Sequence, residues 1–165
     1  MSRRIHELRF DGALLARGFW LYVCEVTAPN GEMLYYVGRT GDSSSENAQS
    51  PFNRIGQHLG FNIHSNRLRA HLVDRGVDPD ECTFRFVAHG PIAGEAEGAD
   101  EHRRRRDDVA AFERELARAM GEAGHVVINT VASRKPLDAD RFRAIRAAFA
   151  VYFPKLAGES PRLHG

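Results

Sequence analysis

Four side chains within the first 58 residues are of the types needed to attack a phosphodiester. Tyr22 and Tyr36 lie in two apolar segments, and Arg54 and His58 follow at a spacing of four residues. Residues spaced by four lie on the same face of a helix. Together these side chains offer phenol, guanidinium and imidazole groups. Hydrolysis of a phosphodiester needs an activated water and neutralisation of the phosphate charge. If the fold brings the four side chains to one pocket, they suit that chemistry.

Two predicted strands position the tyrosines. The segment Phe19 to Val26 is apolar on both faces, which predicts a central strand that is covered on both sides. Ala28-Pro29-Asn30-Gly31 follows as a turn, because Asn-Gly tolerates positive φ and closes hairpins. Met33 to Gly38 is the predicted return strand. The two tyrosines are therefore expected on antiparallel partners, with the register left open.

The arginine and the histidine fall on the first predicted helix. Pro51 suits the first turn of this helix, which we expect to end near Leu59. Ser65 is the expected N-cap of a second helix that ends near Gly76. Alternation of apolar and polar residues predicts a third strand over Cys82 to Ala88.

The second half of the chain is mainly helical by its spacing of apolar residues. A long helix is expected from Val109 to about Glu122, capped by Asp107 or Asp108. Asp138 is the expected cap of a last helix. The buried stripe of that helix is expected to be Phe142, Ile145, Phe149 and Tyr152. This order of elements predicts an α+β fold, with a small, mainly antiparallel three-stranded sheet flanked by helices and a C-terminal helix.

Length and composition narrow the class of protein. The 165 residues fit one domain, and a hydrophobic content of 42% is enough for a packed core. The net charge of +1 means that any surface for nucleic acid must be local. No apolar run is long enough to cross a membrane, and no signal peptide is recognised. Cys24 and Cys82 are expected to be buried free thiols, so we expect a cytoplasmic protein.

Five motifs in a fixed order resemble the GIY-YIG nuclease superfamily. The motifs are Trp20-Leu21-Tyr22, Tyr36-Val37-Gly38, Arg54 with His58, Glu113 on a helix, and Asn129. The resemblance covers about residues 18–130, the expected nuclease domain. Residues 1–17 are then an N-terminal extension, and residues 131–165 are a C-terminal helix and tail packed on the same domain. The loops Gly41 to Ser50 and Gly90 to Asp100 look like insertions.

The resemblance implies a metal-dependent endonuclease, with DNA favoured over RNA as substrate. It implies that Tyr22 contacts the attacking water, that Tyr36 orients the phosphate or the water, and that Glu113 binds Mg²⁺ or Mn²⁺. Arg54 can supply a forked, permanently charged donor to phosphate oxygens. A free phenol has a pKa of about 10, so Tyr22 is a good base only if its site lowers that value. The alternative is that His58 removes the proton and Tyr22 only orients the water.

Several assignments stay open at this level. Glu115 is a rival to Glu113 as the metal ligand, but Glu113 shares its helix side with apolar residues, whereas Glu115 is expected to be more solvated. Arg39, Arg54 and Asn129 are the predicted contacts to nucleic acid. A homodimer or a partner protein can supply further affinity. Because only the tyrosine of the first motif matches the family, the alternative function is a catalytically inactive module that binds nucleic acid or protein.

Overall fold

The computed structural model describes residues 4–42 and 47–158. Parts of three predicted regions lie outside the described residues. They are residues 1–3 of the N-terminal extension, 43–46 of the first loop and 159–165 of the tail. Among the described residues, no helix has the length and the apolar character that a membrane crossing requires.

The core of the fold is an antiparallel three-stranded sheet. Its strands are β1 (Phe19–Thr27), β2 (Met33–Arg39) and β3 (Thr83–Ala93), in the order β2-β1-β3. The central β1 is buried along almost its whole length, as its double-sided apolar character predicts. β3 continues five residues beyond the predicted end at Ala88, because its pairing with β1 extends to Ala93. The predicted α+β class is confirmed.

Within residues 4–42 and 47–158, four α-helices pack around the sheet. They are α1 (Pro51–Leu59), α2 (Arg67–Asp74), α3 (Ala99–Glu122) and α4 (Ala139–Ala150). Short 3-10 helices lie at Gly12–Leu15, Pro79–Glu81 and Pro154–Ala157.

The N-terminal boundaries of α1 and α4 follow their caps. The Ser50 hydroxyl accepts from the backbone N–H of Asn53, and Pro51 occupies the first turn, so α1 has its predicted bounds. The predicted cap of α4 is also confirmed, because the Asp138 carboxylate accepts from the N–H of Arg141 at 3.1 Å. The predicted cap of α2 by Ser65 is wrong. Asn66 precedes that helix, and its side-chain amide donates to the carbonyl of Gln57 instead of capping α2.

Helix α3 begins ten residues before the predicted start at Val109, so the predicted cap at Asp107 or Asp108 is wrong. The additional turns are highly charged and hold few apolar residues, which is why apolar spacing did not reveal them. Ion pairs one turn apart join Arg103 to Asp100 and Arg105 to Glu101. Such pairs support an exposed helix without an apolar stripe.

The sheet has two faces with different coverings. On the first, which we call the α3 face, the side chains of β1 and β2 pack against α3 and α4; these side chains are Phe19, Leu21, Val23, Tyr35 and Val37. On the second, the tyrosine face, they pack against Leu68 and Leu72 of α2; these side chains are Tyr22, Cys24, Val26, Leu34 and Tyr36. The predicted burial of Tyr152 is wrong, because α4 ends at Ala150 and Tyr152 is 56% exposed.

Candidate active site

A buried hydrogen bond between Tyr22 and His58 lies at the centre of the tyrosine face. The phenol of Tyr22 comes from β1 and is 1% exposed, and the imidazole of His58 comes from the buried side of α1 and is 4% exposed. The Tyr22 hydroxyl is hydrogen-bonded to Nε2 of His58. The first strand and the first helix therefore present their predicted functional groups to each other.

Gly38 makes room for the tyrosine ring. The sheet register places Gly38 of β2 directly opposite Tyr22 of β1. A Cβ at position 38 would collide with the ring and hydroxyl of Tyr22. The glycine of the Tyr36-Val37-Gly38 motif is therefore needed for space, and it lets the phenol lie across β2 towards His58.

The protonation states of the pair follow from burial. Burial raises the pKa of Tyr22 well above its ordinary value; Tyr36 and Glu113 act in the same direction, and Arg54 opposes them. Burial also lowers the pKa of His58 to about 4, assisted by the charge of Arg54. At neutral pH both groups are therefore uncharged: Tyr22 keeps its proton, and His58 is a neutral imidazole. The raised pKa of Tyr22 is opposite to the lowering that a tyrosine base requires.

Tyr36 lies against the same histidine. Its ring is 7% exposed, and its centroid is 4.9 Å from that of His58. Burial raises the pKa of Tyr36 to about 12. His71 of α2 contacts the other side of the group, with its ring centroid 5.9 Å from that of Tyr36. Sequence reasoning did not assign His71 to the site, because its position depends on how α2 packs on the sheet.

Arg54 joins the pair from α1. Its charge lowers the pKa of both Tyr22 and Tyr36, so the guanidinium lies close to the two phenols. It also forms an ion pair with Asp42. Asp42 lies in the loop that sequence analysis treated as an insertion, and no motif marks it. In the free protein, the carboxylate of Asp42 therefore pairs with the guanidinium that the sequence predicts to bind a phosphate.

Glu113 reaches the group from the other side of the sheet. Its helix α3 packs on the α3 face, but β2 is the edge strand, and the carboxylate lies at this edge beside Arg39, with Oε2 2.8 Å from Arg39 Nε. The charge of Glu113 raises the pKa of both Tyr22 and Tyr36, so its carboxylate acts electrostatically on the two phenols. Tyr22, Tyr36, Arg54 and His58 therefore meet on the tyrosine face, whereas Glu113 pairs with Arg39 on the α3 face, and its part in the same site stays a prediction.

The rival carboxylate of Glu115 has a different environment. Arg114 and Arg118 of the same helix hold it at 3.1 Å and 2.9 Å. The expectation that Glu115 is the more solvated of the two is wrong, since its side chain is 12% exposed and that of Glu113 is 15% exposed. The charge of Glu113 acts on the two phenols, which nevertheless favours Glu113 over Glu115 as the predicted ligand.

A divalent ion at this site would depend on the carboxylates of Glu113 and Asp42. Among residues 4–42 and 47–158, no cluster of three or more His, Cys, Asp and Glu side chains could hold a metal ion. Burial raises the pKa of Glu113, Arg39 opposes this shift, and the charge of Asp42 adds to it, so a second carboxylate is near. Mg²⁺ commonly binds through one or two carboxylates and takes its other ligands from water and substrate phosphate. The carboxylate of Glu113 would suffice for that mode once it leaves Arg39, and its binding of a metal ion stays a prediction.

Two predicted contacts to nucleic acid have structural partners. The amide of Asn129 is bonded to the backbone of Val37, accepting from its N–H at 3.0 Å and donating to its carbonyl at 2.7 Å. Asn129 thus pairs with the exposed edge of β2 as a further residue of a strand would. Arg39 is paired with Glu113. In the structure, Asn129 bonds to the backbone of β2 and Arg39 pairs with a carboxylate. The contacts of both residues to nucleic acid stay predictions.

A cavity of about 270 Å³ opens beside the histidine on the outer side of the site. Its lining residues come from α1 and from the start of α2: Arg54, Gln57, His58, Ser65, Asn66 and Arg67. The cavity brings two guanidinium groups and the buried imidazole to one solvent-facing space.

Comparison of the chain with protein-family models, with curated proteins and with solved structures gave no match. The resemblance to the GIY-YIG nucleases therefore rests on the five motifs alone, and it stays a prediction.

Proposed function

We propose that the chain is a metal-dependent endonuclease that hydrolyses phosphodiester bonds in nucleic acid, with DNA favoured over RNA. The single observation that supports this proposal most strongly is the buried hydrogen bond between Tyr22 and neutral His58, next to the guanidinium of Arg54. Titratable groups with strongly shifted pKa values that meet in one place are typical of functional sites.

In the proposed reaction, Tyr22 and His58 work as one proton relay. The attacking water gives a proton to the Tyr22 oxygen, while the proton of Tyr22 moves to Nε2 of His58. Tyr22 is neutral before and after the step, so its raised pKa is no obstacle, and His58 becomes the cation. Because burial and Arg54 lower the pKa of His58 to about 4 in the free protein, the negative charge of the bound phosphate must stabilise the imidazolium. The water oxygen bonds to phosphorus, and the bond from phosphorus to the leaving sugar oxygen breaks. The leaving oxygen takes a proton from solvent, and His58 releases its proton to solvent and returns to the neutral form.

The other groups stabilise charge. Arg54 holds the phosphate oxygens, and for this it exchanges Asp42 for the substrate. Tyr36, against the His58 ring, orients the phosphate or the water. A divalent cation, when bound, supplies positive charge to the phosphate and to the leaving oxygen. Glu113 would hold that cation, and Arg39 keeps its buried carboxylate paired in the free protein.

A plasmid-nicking assay with Mg²⁺ or Mn²⁺ tests the proposal. We expect the wild type to nick supercoiled DNA and Arg54→Ala to lose about 10²- to 10³-fold in rate, since a preorganised charged donor is removed. Arg134→Ala is the matched control, because Arg134 is an exposed arginine outside the cavity lining. Wild-type protein that leaves the plasmid intact with both metals would contradict the proposal.

The alternative function is a binding module that does not cut. It is favoured by one observation: Arg54 and Glu113 are each neutralised within the protein, by Asp42 and by Arg39. A shift of the labelled plasmid on a gel without any nicking would select this alternative. Nicking that depends on Arg54 would exclude it.

A further inference from the structure

Arg67 is a cation of the cavity for which the proposed reaction has no role. It is the first residue of α2, is exposed, and lines the cavity together with Arg54 and His58. Neither the five motifs nor the proposed reaction includes it. Its position beside the site follows from the packing of α2 against α1.

The arginines around the site differ in their partners. Arg54 is paired with Asp42, and Arg39 is paired with Glu113. For Arg67, the described part of the chain provides no acidic partner within ion-pair distance. A guanidinium that lines a cavity without an acidic partner can bind an anion directly, because no ion pair within the protein has to be broken first.

The charge of Arg67 acts on the catalytic group itself. It lowers the pKa of His58, of Tyr36 and of His71. Arg67 and His71 are four residues apart, so they lie on the same face of α2. The guanidinium of Arg67 therefore lines the cavity on the side of the catalytic group.

We propose that Arg67 binds a second backbone phosphate, the neighbour of the phosphate that Arg54 holds for attack. This inference rests on the proposed function. With about 270 Å³, the cavity is smaller than usual ligand pockets of about 300–1,000 Å³, so a phosphate with part of its sugar fits better than a base. The preferred substrate is then an internal phosphodiester with a phosphate next to it, rather than a terminal phosphate or a mononucleotide. Backbone contacts of this kind carry no sequence information.

Binding of a fluorescent DNA duplex in EDTA, measured at increasing NaCl concentrations, tests the inference without metal or cleavage. We expect Arg67→Gln to weaken binding about tenfold at low salt and to reduce the slope of log K against log salt by about 0.9. Arg67→Lys should restore the slope, because it restores the charge. Arg134→Gln, which removes an exposed charge outside the cavity, should leave the slope unchanged.

In the nicking assay, Arg67→Gln should raise KM more than it lowers kcat, because Arg67 binds the chain and does not touch the reacting atoms. Equal thermal melting of wild type and variant shows that the fold is kept. If Arg67→Gln keeps the wild-type salt slope while Arg54→Ala abolishes nicking, the second phosphate site is wrong and the nuclease proposal stands. If the salt slope falls but the wild type does not nick, the site stands and the nuclease proposal fails.

Discussion

The two faces of the sheet each enclose side chains of β1 and β2, but they differ in chemistry. On the α3 face, Phe19, Leu21 and Phe112 are almost fully enclosed by other apolar side chains. On the tyrosine face, Tyr22 and His58 are enclosed just as completely, although both can ionise. Burial of apolar groups stabilises the fold, whereas burial of titratable groups costs free energy unless they are hydrogen-bonded. The comparison separates a face whose core is mainly apolar from a face whose core includes a buried, hydrogen-bonded pair of titratable groups, where we propose that the chemistry takes place.

The largest effect is expected on the α3 face. Phe112→Ala should lower the free energy of unfolding by about 3–5 kcal/mol, because it leaves a cavity in a closed core. Tyr22→Phe should cost about 1–3 kcal/mol, since it keeps the ring and leaves only Nε2 of His58 without its partner. Urea denaturation measures both values. If Tyr22→Phe lowers the free energy of unfolding more than Phe112→Ala does, the proposed difference between the two faces is wrong.

The next largest effect is a pH dependence of the free energy of unfolding, caused by His58 on the tyrosine face. The pKa of His58 is about 4 in the folded protein and about 6.5 in an unfolded chain. Between these values the unfolded state binds more protons, so the free energy of unfolding should rise with pH, by about 3 kcal/mol over the whole interval. Below pH 4 this stability is absent, and above pH 6.5 it is complete.

Urea denaturation at a series of pH values, for wild type and for His58→Gln, checks this pH dependence. The difference between the two curves isolates His58, because three other histidines with lowered pKa values are present in both proteins; these are His71, His89 and His125. Parallel curves between pH 4 and pH 6.5 would show that His58 is not held neutral by the fold.

A smaller effect tests the fit of the tyrosine ring. Gly38→Ala should cost about 1–3 kcal/mol and slow nicking, because the new Cβ displaces Tyr22 from His58. Gly56→Ala is the matched control on exposed α1, where a Cβ meets no atom within 4 Å. Alanine is the better helix former by about 1 kcal/mol, so the control should be slightly more stable than the wild type. If both variants melt like the wild type, space for the ring is not the reason for Gly38.

Sequence predicted those parts of the molecule that local patterns determine. The bounds of β1 and α1 follow from a continuous apolar run and from a proline behind a serine cap. The start of α3 was missed because its first turns are held by ion pairs and not by apolar spacing. Asp42 and Arg67 were missed because they approach the site only through tertiary packing. No sequence spacing relates them to Arg54.

The central claim is that Tyr22 and His58 act as one acid–base unit, and nicking rates of Tyr22→Phe, His58→Ala and the double variant at neutral pH test it most directly. Residues that act as a unit are strongly non-additive, so the double variant should be no slower than the slower single variant. Nicking at the wild-type rate by Tyr22→Phe, or a double variant whose loss is the product of the two single losses, would contradict the claim.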